Sequence, residues 1–156
     1  PRAKVLRLSD SVYGSDSVAA VGVAAHECGH AIQHQRGYVP LRLRGAFVPV
    51  ANFGSTIAWP LIIIGLMMRG QIIVEIGIIC FSFAVLFQLI TLPVEFNASG
   101  RAMRILRETG ILNSQELPLT GRVLRAAAMT YVASAASAIL QLLRLIILYG
   151  GRRRDE

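Results

Sequence analysis

The chain has 156 residues, enough for one ordinary domain and too few for two sizeable ones. Hydrophobic residues make up 54% of it and charged residues 16%, whereas soluble domains are about a quarter charged. This composition argues against an ordinary soluble domain and indicates a membrane protein. The net charge of +7 comes from arginines that flank apolar segments without interleaved aromatic residues, so it indicates membrane topology and not nucleic-acid binding. The two cysteines form neither a disulfide framework nor a CxxC site.

The first segments of the chain are short. KVLRL, residues 4–8, partly alternates and predicts an edge strand or an extended segment. SVYGSDS, residues 11–17, predicts a loop, and a serine of this loop can cap a helix that runs from about 17 to 36. Gly37 then fits the left-handed position that ends many helices.

Three apolar segments follow, over residues 47–68, 71–94 and 129–149. At about 1.5 Å per residue each is long enough to cross a bilayer core of about 30 Å. Only a tight turn can join the first two, which predicts a transmembrane hairpin. The arginine-rich stretch before the third segment predicts a separate helix over about 93–108, with Pro93 resetting the helix direction, and then a loop.

Basic residues are distributed unevenly between the two sides that three crossings would create. The positive-inside tendency places the richer side, which holds residues before 45 and from 95 to 125, in the cytoplasm. The terminal GRRRDE falls on the other side. Eleven basic residues lie on the richer side: Arg2, Lys4, Arg7, Arg36, Arg42, Arg44, Arg101, Arg104, Arg107, Arg122 and Arg125.

The stretch VAAHECGHAI, residues 23–32, carries the chemistry. His26 and His30 are four residues apart, so on a helix both imidazoles face the same ion, and zinc accepts nitrogen at about 2.0–2.1 Å. Glu27 lies about 100° round the helix and would reach a water at the metal rather than the metal itself. Zinc lowers the pKa of such a water to about 7, and Glu27 can take its proton and pass it to the leaving amine.

A catalytic zinc normally has three protein ligands, so one must come from elsewhere. Gln33 stands where the HExxHxxGxxH pattern needs glycine, and His34 lies too far along the helix axis. His34 is therefore a residue at the rim of the site, a partner of a ligand, or a solvated surface histidine. Glu95, in LPVEFNASGRA, is the better third ligand, because a carboxylate at a membrane boundary needs a partner. The alternative is a plain interfacial glutamate.

Three blocks in this order, VAAHECGHAIQH, LPVEFNASGRA and AAAMTYVASAASAILQLLRLI, resemble the neutral zinc metallopeptidases of bacterial membranes, the YugP-type family. The resemblance covers nearly the whole chain, from KVLRLS to the third apolar segment. It implies a gluzincin-like peptidase with one Zn2+ per chain, a HExxH helix and a downstream glutamate. It also implies a polypeptide substrate, a place in the bacterial plasma membrane, and a further membrane segment upstream of Pro1.

The chain is also distantly similar to the membrane-bound heat-shock zinc proteases. Those have an acid in their downstream motif where this chain has Ser99, so Asn97 or Ser99 is the candidate hydrogen-bond partner of a metal ligand. A peptidase further needs a group that stabilises the charge on the scissile carbonyl oxygen. His34, Arg101 and Tyr131 are the candidates beside the zinc, and the sequence does not choose between them.

We therefore predict an all-α integral membrane protein in which residues 1–156 form a single membrane-embedded zinc endopeptidase domain that acts on membrane-associated or unfolded proteins. Two alternatives are a catalytically silent zinc-binding scaffold or regulator, and a helical membrane protein that carries HECGH by coincidence. Membrane lipids are expected partners, and a membrane-protein partner or a homo-oligomer stays open. The predicted parts are the HExxH helix region 1–45, the hairpin 46–94, the third-ligand helix and loop 95–125, and the last membrane helix 126–149.

Overall fold

The computed structural model describes residues 5–150. It is 85% helical, and the described residues contain no strand, which confirms the all-helical prediction. Residues 5–8 form no regular secondary structure, so the edge-strand option is wrong for them. The physical reason is that no strand among the described residues lies beside them to pair with. Lys4, the first residue of that predicted segment, lies outside the described residues. The helices are α1 (Asp10–Tyr13), α2 (Val18–Gln35), α3 (Val39–Met67), α4 (Gln71–Thr109) and α5 (Glu116–Tyr149).

Both ends of α2 follow from local sequence. Ser17 caps its start, and its hydroxyl oxygen accepts a hydrogen bond from the Ala20 backbone N–H at 3.2 Å. At the other end Gly37 has a φ of +61°, a backbone conformation that glycine adopts without strain. The N–H of Tyr38 then reaches the Gln33 carbonyl at 2.9 Å, the hydrogen bond of a Schellman motif. The predicted helix from about 17 to 36 is confirmed.

The predicted loop over residues 11–17 is wrong in its first part, because α1 occupies Asp10–Tyr13. The backbone N–H groups of Val12 and Tyr13 both reach the Ser9 carbonyl, at 3.0 and 2.8 Å, and so close a single helical turn. Serine and aspartate before the turn favour this local structure, which leaves no buried side chain in α1.

The three long helices each extend beyond the apolar segment that predicted them. Helix α3 begins at Val39, and α5 begins at Glu116, where the Asn113 side chain accepts the N–H groups of Gln115 and Glu116 at 2.9 Å. All three are long and apolar enough to cross a membrane, as predicted. Hydropathy locates the lipid-soluble part of such helices and not their polar ends.

The helix predicted over about 93–108 is present, but it is not separate, because α4 is a single helix over Gln71–Thr109. The prediction that Pro93 starts a new helix direction by ending one helix is wrong. Proline removes one backbone hydrogen bond but leaves those on both sides of it, and helices that cross membranes tolerate it. Glu95 therefore follows the apolar part of α4 within the same helix.

A turn of three residues joins α3 to α4, which confirms the tight connection. Arg69 adopts a φ of +53°, and the Gly70 N–H returns to the Gly65 carbonyl at 2.8 Å. Compactness divides the chain into two units. The site unit contains Pro1–Arg42 and Thr91–Tyr131, and the apolar unit contains Leu43–Ile90 and Val132–Glu156.

The site unit has its own apolar core, in which Ala25 of α2, Ala102 and Leu106 of α4, and Leu124 of α5 pack together. The Thr120 hydroxyl donates to the Val18 carbonyl at 3.2 Å and joins α5 to the start of α2. Two of the four core side chains are alanines and none is branched at Cβ, so the helices of this unit can approach closely.

The apolar unit is built on Ile62, Val74, Ile78 and Leu145. A Cβ atom added at Gly54 would lie 2.6 Å from the Cys80 carbonyl oxygen, so α3 and α4 are in close backbone contact there.

Candidate metal centre

A close contact between α2 and α4 builds the centre. Gly29, inside the HECGH motif, lies against the backbone of Ala98, and any Cβ at this position would collide with the Ala98 carbonyl. Ala98 itself is fully buried. Because neither residue holds the helices apart, the face of α2 with two histidines meets the face of α4 with Glu95.

Three side chains meet at this contact. The Nε2 atom of His26 lies 3.2 Å from the Glu95 Oε2 atom, and Nε2 of His30 lies 3.6 Å from the same oxygen. The two imidazole rings stand edge to face, with centroids 4.7 Å apart. One ligand atom from each of the three residues lies within 4.8 Å of the other two. The sequence interval of some seventy residues is thus closed by one helix contact.

The spacing fits a zinc ion. Tetrahedral ligands at about 2.0–2.2 Å from zinc lie about 3.3–3.6 Å from each other, and the two histidine-to-glutamate distances of 3.2 and 3.6 Å are close to this range. Two neutral imidazoles and one carboxylate are also a donor set that catalytic zinc sites use. His26, His30 and Glu95 could therefore hold a zinc ion.

The Nδ1 atoms of both histidines have hydrogen-bond partners on the side away from Glu95. Nδ1 of His26 lies 3.0 Å from the Ser99 hydroxyl, and Nδ1 of His30 lies 3.0 Å from the Gln33 Oε1 atom. Metal-binding histidines commonly hold their second nitrogen in this way, which fixes the orientation of the ring. Both Nε2 atoms are left to face Glu95.

Glu95 sets the electrostatics of the centre. Its side chain is 4% exposed, and a buried carboxylate requires compensating charge or hydrogen bonds. The Glu95 carboxylate, foremost, holds the pKa of His30 above its ordinary value of 6.5, while burial acts in the opposite direction. The negative charge that favours a proton at this place also favours a metal cation.

The other predicted site residues are distributed around this contact. Ser99 hydrogen-bonds His26 directly, whereas Asn97 reaches the Gln33 amide at 3.0 Å. The Arg101 Nε–H donates to the Asn97 Oδ1 atom at 2.8 Å, and its guanidinium lies 5.9 Å from the centre of the Tyr38 ring.

Glu27 is half-buried next to His26, as the motif requires. His34 is exposed on the last turn of α2, and Tyr131 is half-buried on α5. The roles of these three residues stay predictions.

Gln33 has no predicted role, and the structure places it in contact with the predicted ligand His30. A signal was present: Gln33 follows His30 by three residues and so lies on the same helical face. In the sequence alone, Gln33 stands out only as a departure from the HExxHxxGxxH pattern. Tyr38, beneath Arg101, gave no comparable signal.

The model of one protein family, described as "Putative neutral zinc metallopeptidase", matches residues 1–150. The chain belongs to this family. The protein named "Putative membrane protease YugP" from Bacillus subtilis (strain 168) is 48% identical over 157 residues, which cover 100% of this chain and 69% of that protein. No solved structure matches the chain. The resemblance noted in the sequence is confirmed, and a family of zinc peptidases implies zinc as the cofactor.

Proposed function

We propose that the protein is a zinc-dependent membrane endopeptidase with one Zn2+ held by His26, His30 and Glu95. The observation that carries the proposal is the meeting of the three ligand atoms within 4.8 Å, directly beside the glutamate of a HExxH helix. Zinc bound there would polarise the scissile carbonyl and lower the pKa of the attacking water to about 7.

Glu27 is the proposed general base and then the general acid. It takes the proton of the attacking water and delivers it to the nitrogen of the departing amine, so the peptide bond breaks without release of an unstable anion. The two imidazole rings keep their orientation during this step, because the Ser99 hydroxyl and the Gln33 side chain hydrogen-bond their Nδ1 atoms. His34, Arg101 and Tyr131 stay the candidate donors to the carbonyl oxygen.

The proposed substrates are membrane-associated or unfolded polypeptides. Family membership supports a polypeptide substrate, and three candidate membrane helices support action at a lipid surface. We further propose that the protein lies in the bacterial plasma membrane with the centre on the cytoplasmic side, since the basic residues around the site unit outnumber those on the other side.

The test is the Glu27→Gln variant, purified in detergent and assayed on fluorescently labelled casein as an unfolded polypeptide. We expect one zinc per chain, as in the unaltered protein, and a hydrolysis rate lower by about 10²–10⁴-fold, because the amide cannot accept the proton. Glu108→Gln is the matched control, since Glu108 is exposed at the end of α4.

Two other outcomes would reject this function. Hydrolysis at the normal rate by Glu27→Gln would remove Glu27 as the base. An unaltered protein that binds zinc in full but cleaves neither casein nor proteins of its own membrane would be the silent scaffold.

A further inference from the structure

The hydrogen bonds of Gln33 all have a defined direction. Its side chain has no exposed surface. The Nε2 group donates to the Val94 carbonyl at 2.8 Å and to the Asn97 Oδ1 atom at 3.0 Å, while Oε1 lies 3.0 Å from His30 Nδ1. A backbone carbonyl can only accept, so the Gln33 amide group must face Val94, and its oxygen must face His30.

The orientation of Gln33 determines the tautomer of His30. An amide oxygen can only accept a hydrogen bond, so the Nδ1 atom of His30 must carry a proton. In the neutral imidazole the lone pair is then on Nε2, the nitrogen that faces Glu95 and that a metal would bind. A buried glutamine is well suited to this role, because solvent does not compete for its oxygen.

A second layer keeps the Gln33 amide in this orientation. Arginine can only donate, so the Arg101 Nε–H at 2.8 Å requires that the Asn97 oxygen, and not its NH2 group, faces inward. That oxygen is the acceptor for Gln33. Arg101 is itself held over the Tyr38 ring. His30 therefore donates to Gln33 and Gln33 donates to Asn97, while Arg101 donates to the same Asn97 oxygen and keeps that oxygen facing Gln33.

The His26 side of the centre has no such direction. Its Nδ1 partner is the Ser99 hydroxyl, which can donate or accept by rotation about one bond. Ser99 is compatible with either tautomer of His26. The hydrogen bond to Gln33 thus enforces one tautomer of His30, whereas the hydrogen bond to Ser99 is compatible with both tautomers of His26.

We propose that Gln33 is a positioning residue that enforces Nε2 of His30 as the metal-binding nitrogen, with Asn97 and Arg101 fixing the direction of its amide. The proposal rests on the zinc site of the proposed function but concerns metal affinity and not hydrolysis. It also gives Arg101 a role remote from the scissile carbonyl.

The test measures zinc binding by the full chain in detergent, through competition with a coloured chelator. Gln33→Met keeps the length and volume of the side chain and removes its polar atoms. We expect zinc affinity to fall by about 10–100-fold, the usual effect of losing the partner of a metal-binding histidine. Gln35→Met is the matched control: the same substitution on an exposed residue of α2 should leave zinc affinity unchanged.

A spectroscopic measurement separates positioning from a general loss of stability. In the zinc-loaded protein with 15N-labelled histidine, we expect His30 to show a slowly exchanging Nδ1–H and a metal-bound Nε2. In Gln33→Met the Nδ1 proton should exchange rapidly. A His30 that binds zinc through Nδ1 in the unaltered protein would overturn the proposal.

Variants of Asn97 test the second layer and remain informative if Gln33→Met fails to fold. Asn97→Ala should weaken zinc binding, whereas Asn97→Asp, which keeps an acceptor oxygen for Gln33 and Arg101, should retain most of the affinity. In a double-mutant cycle the losses from Asn97→Ala and Gln33→Met should not add, because one acts through the other.

The failures of the two proposals are distinguishable. Unchanged zinc affinity in both Gln33→Met and Asn97→Ala rejects the positioning role and leaves the peptidase intact. Absence of zinc binding in the unaltered protein rejects both. Weakened zinc binding in Gln33→Met, together with normal hydrolysis by Glu27→Gln, rejects the proposed catalytic role alone.

Discussion

The interiors of the two units differ although α4 and α5 contribute to both. In the apolar unit the core consists of Ile62, Val74, Ile78 and Leu145. The site unit also has an apolar core, but it buries polar side chains as well. All the buried polar side chains found among residues 5–150 belong to the site unit: Gln33, Thr91, Glu95 and Thr120.

This difference shows that packing alone does not account for the interior of the site unit. Burial of a polar group is unfavourable unless hydrogen bonds replace those with water, so packing alone favours an interior like that of the apolar unit. The site unit contains a buried carboxylate and a buried amide where apolar side chains would also fill the space. Their presence is explained by the two histidines that they contact.

We expect the largest effect on zinc content when two glutamates of α4 are each replaced by alanine and compared. Glu95→Ala removes the carboxylate that both Nε2 atoms face, and we expect zinc content measured by atomic absorption to fall to background with loss of hydrolysis. Glu75→Ala is the control in the apolar unit, where Glu75 accepts a hydrogen bond from Gln71 at 3.2 Å. Equal zinc loss in both variants would contradict the division between the units.

A second comparison uses the glycines at two helix contacts. Gly29→Ala forces a methyl group against the Ala98 backbone, and Gly54→Ala does the same against Cys80. We expect each to destabilise the protein by about 1–3 kcal/mol in thermal unfolding, with zinc affinity reduced only in Gly29→Ala. Gly100→Ala is the control, because nothing lies within 4 Å of a Cβ atom there.

Normal zinc affinity in a folded Gly29→Ala variant would show that the centre does not require this approach of α2 to α4. Reduced zinc affinity in Gly54→Ala would show that the apolar unit controls the centre as well.

The smallest effect concerns the hydroxyl behind His26. Ser99→Ala removes the partner of Nδ1, and we expect zinc affinity to fall by about tenfold, the lower end for such partners. Ser82→Ala in the apolar unit removes a hydroxyl that bonds only the Ile79 carbonyl of its own helix, and should leave zinc affinity unchanged. A loss larger than that in Gln33→Met would indicate that His26 is the more constrained ring.

Much of the fold could be predicted from the chain because its signals are local. The serine before α2 and the glycine after it mark both ends of that helix. The apolar segments predicted three candidate membrane helices. The ends of those helices could not be predicted from hydropathy. Polar residues continue α4 past Pro93 and begin α5 at Glu116, and hydropathy does not distinguish a polar helical turn from a polar loop.

The centre was partly predictable for a different reason. His26 and His30 are related by helical spacing alone, and Glu95 stands out as a carboxylate after an apolar run. The partner of His30 could not be assigned, because the contact of Gln33 with Val94 and Asn97 depends on which residues of two distant helices come together. In the sequence this glutamine only occupies the place of the pattern's glycine, whereas in the structure it accepts a hydrogen bond from His30 and donates to Val94 and Asn97.

The unbroken course of α4 restricts how the length of this chain can change. One inserted residue between Glu95 and Ala98 would rotate the carboxylate by about 100°, and shift it by about 1.5 Å along the helix axis, relative to the contact of Ala98 with Gly29. The histidines of α2 would then face a different side chain. The connection that follows Gly110, by contrast, lies outside any helix, so additions there would leave the angular phase of Glu95 unaltered.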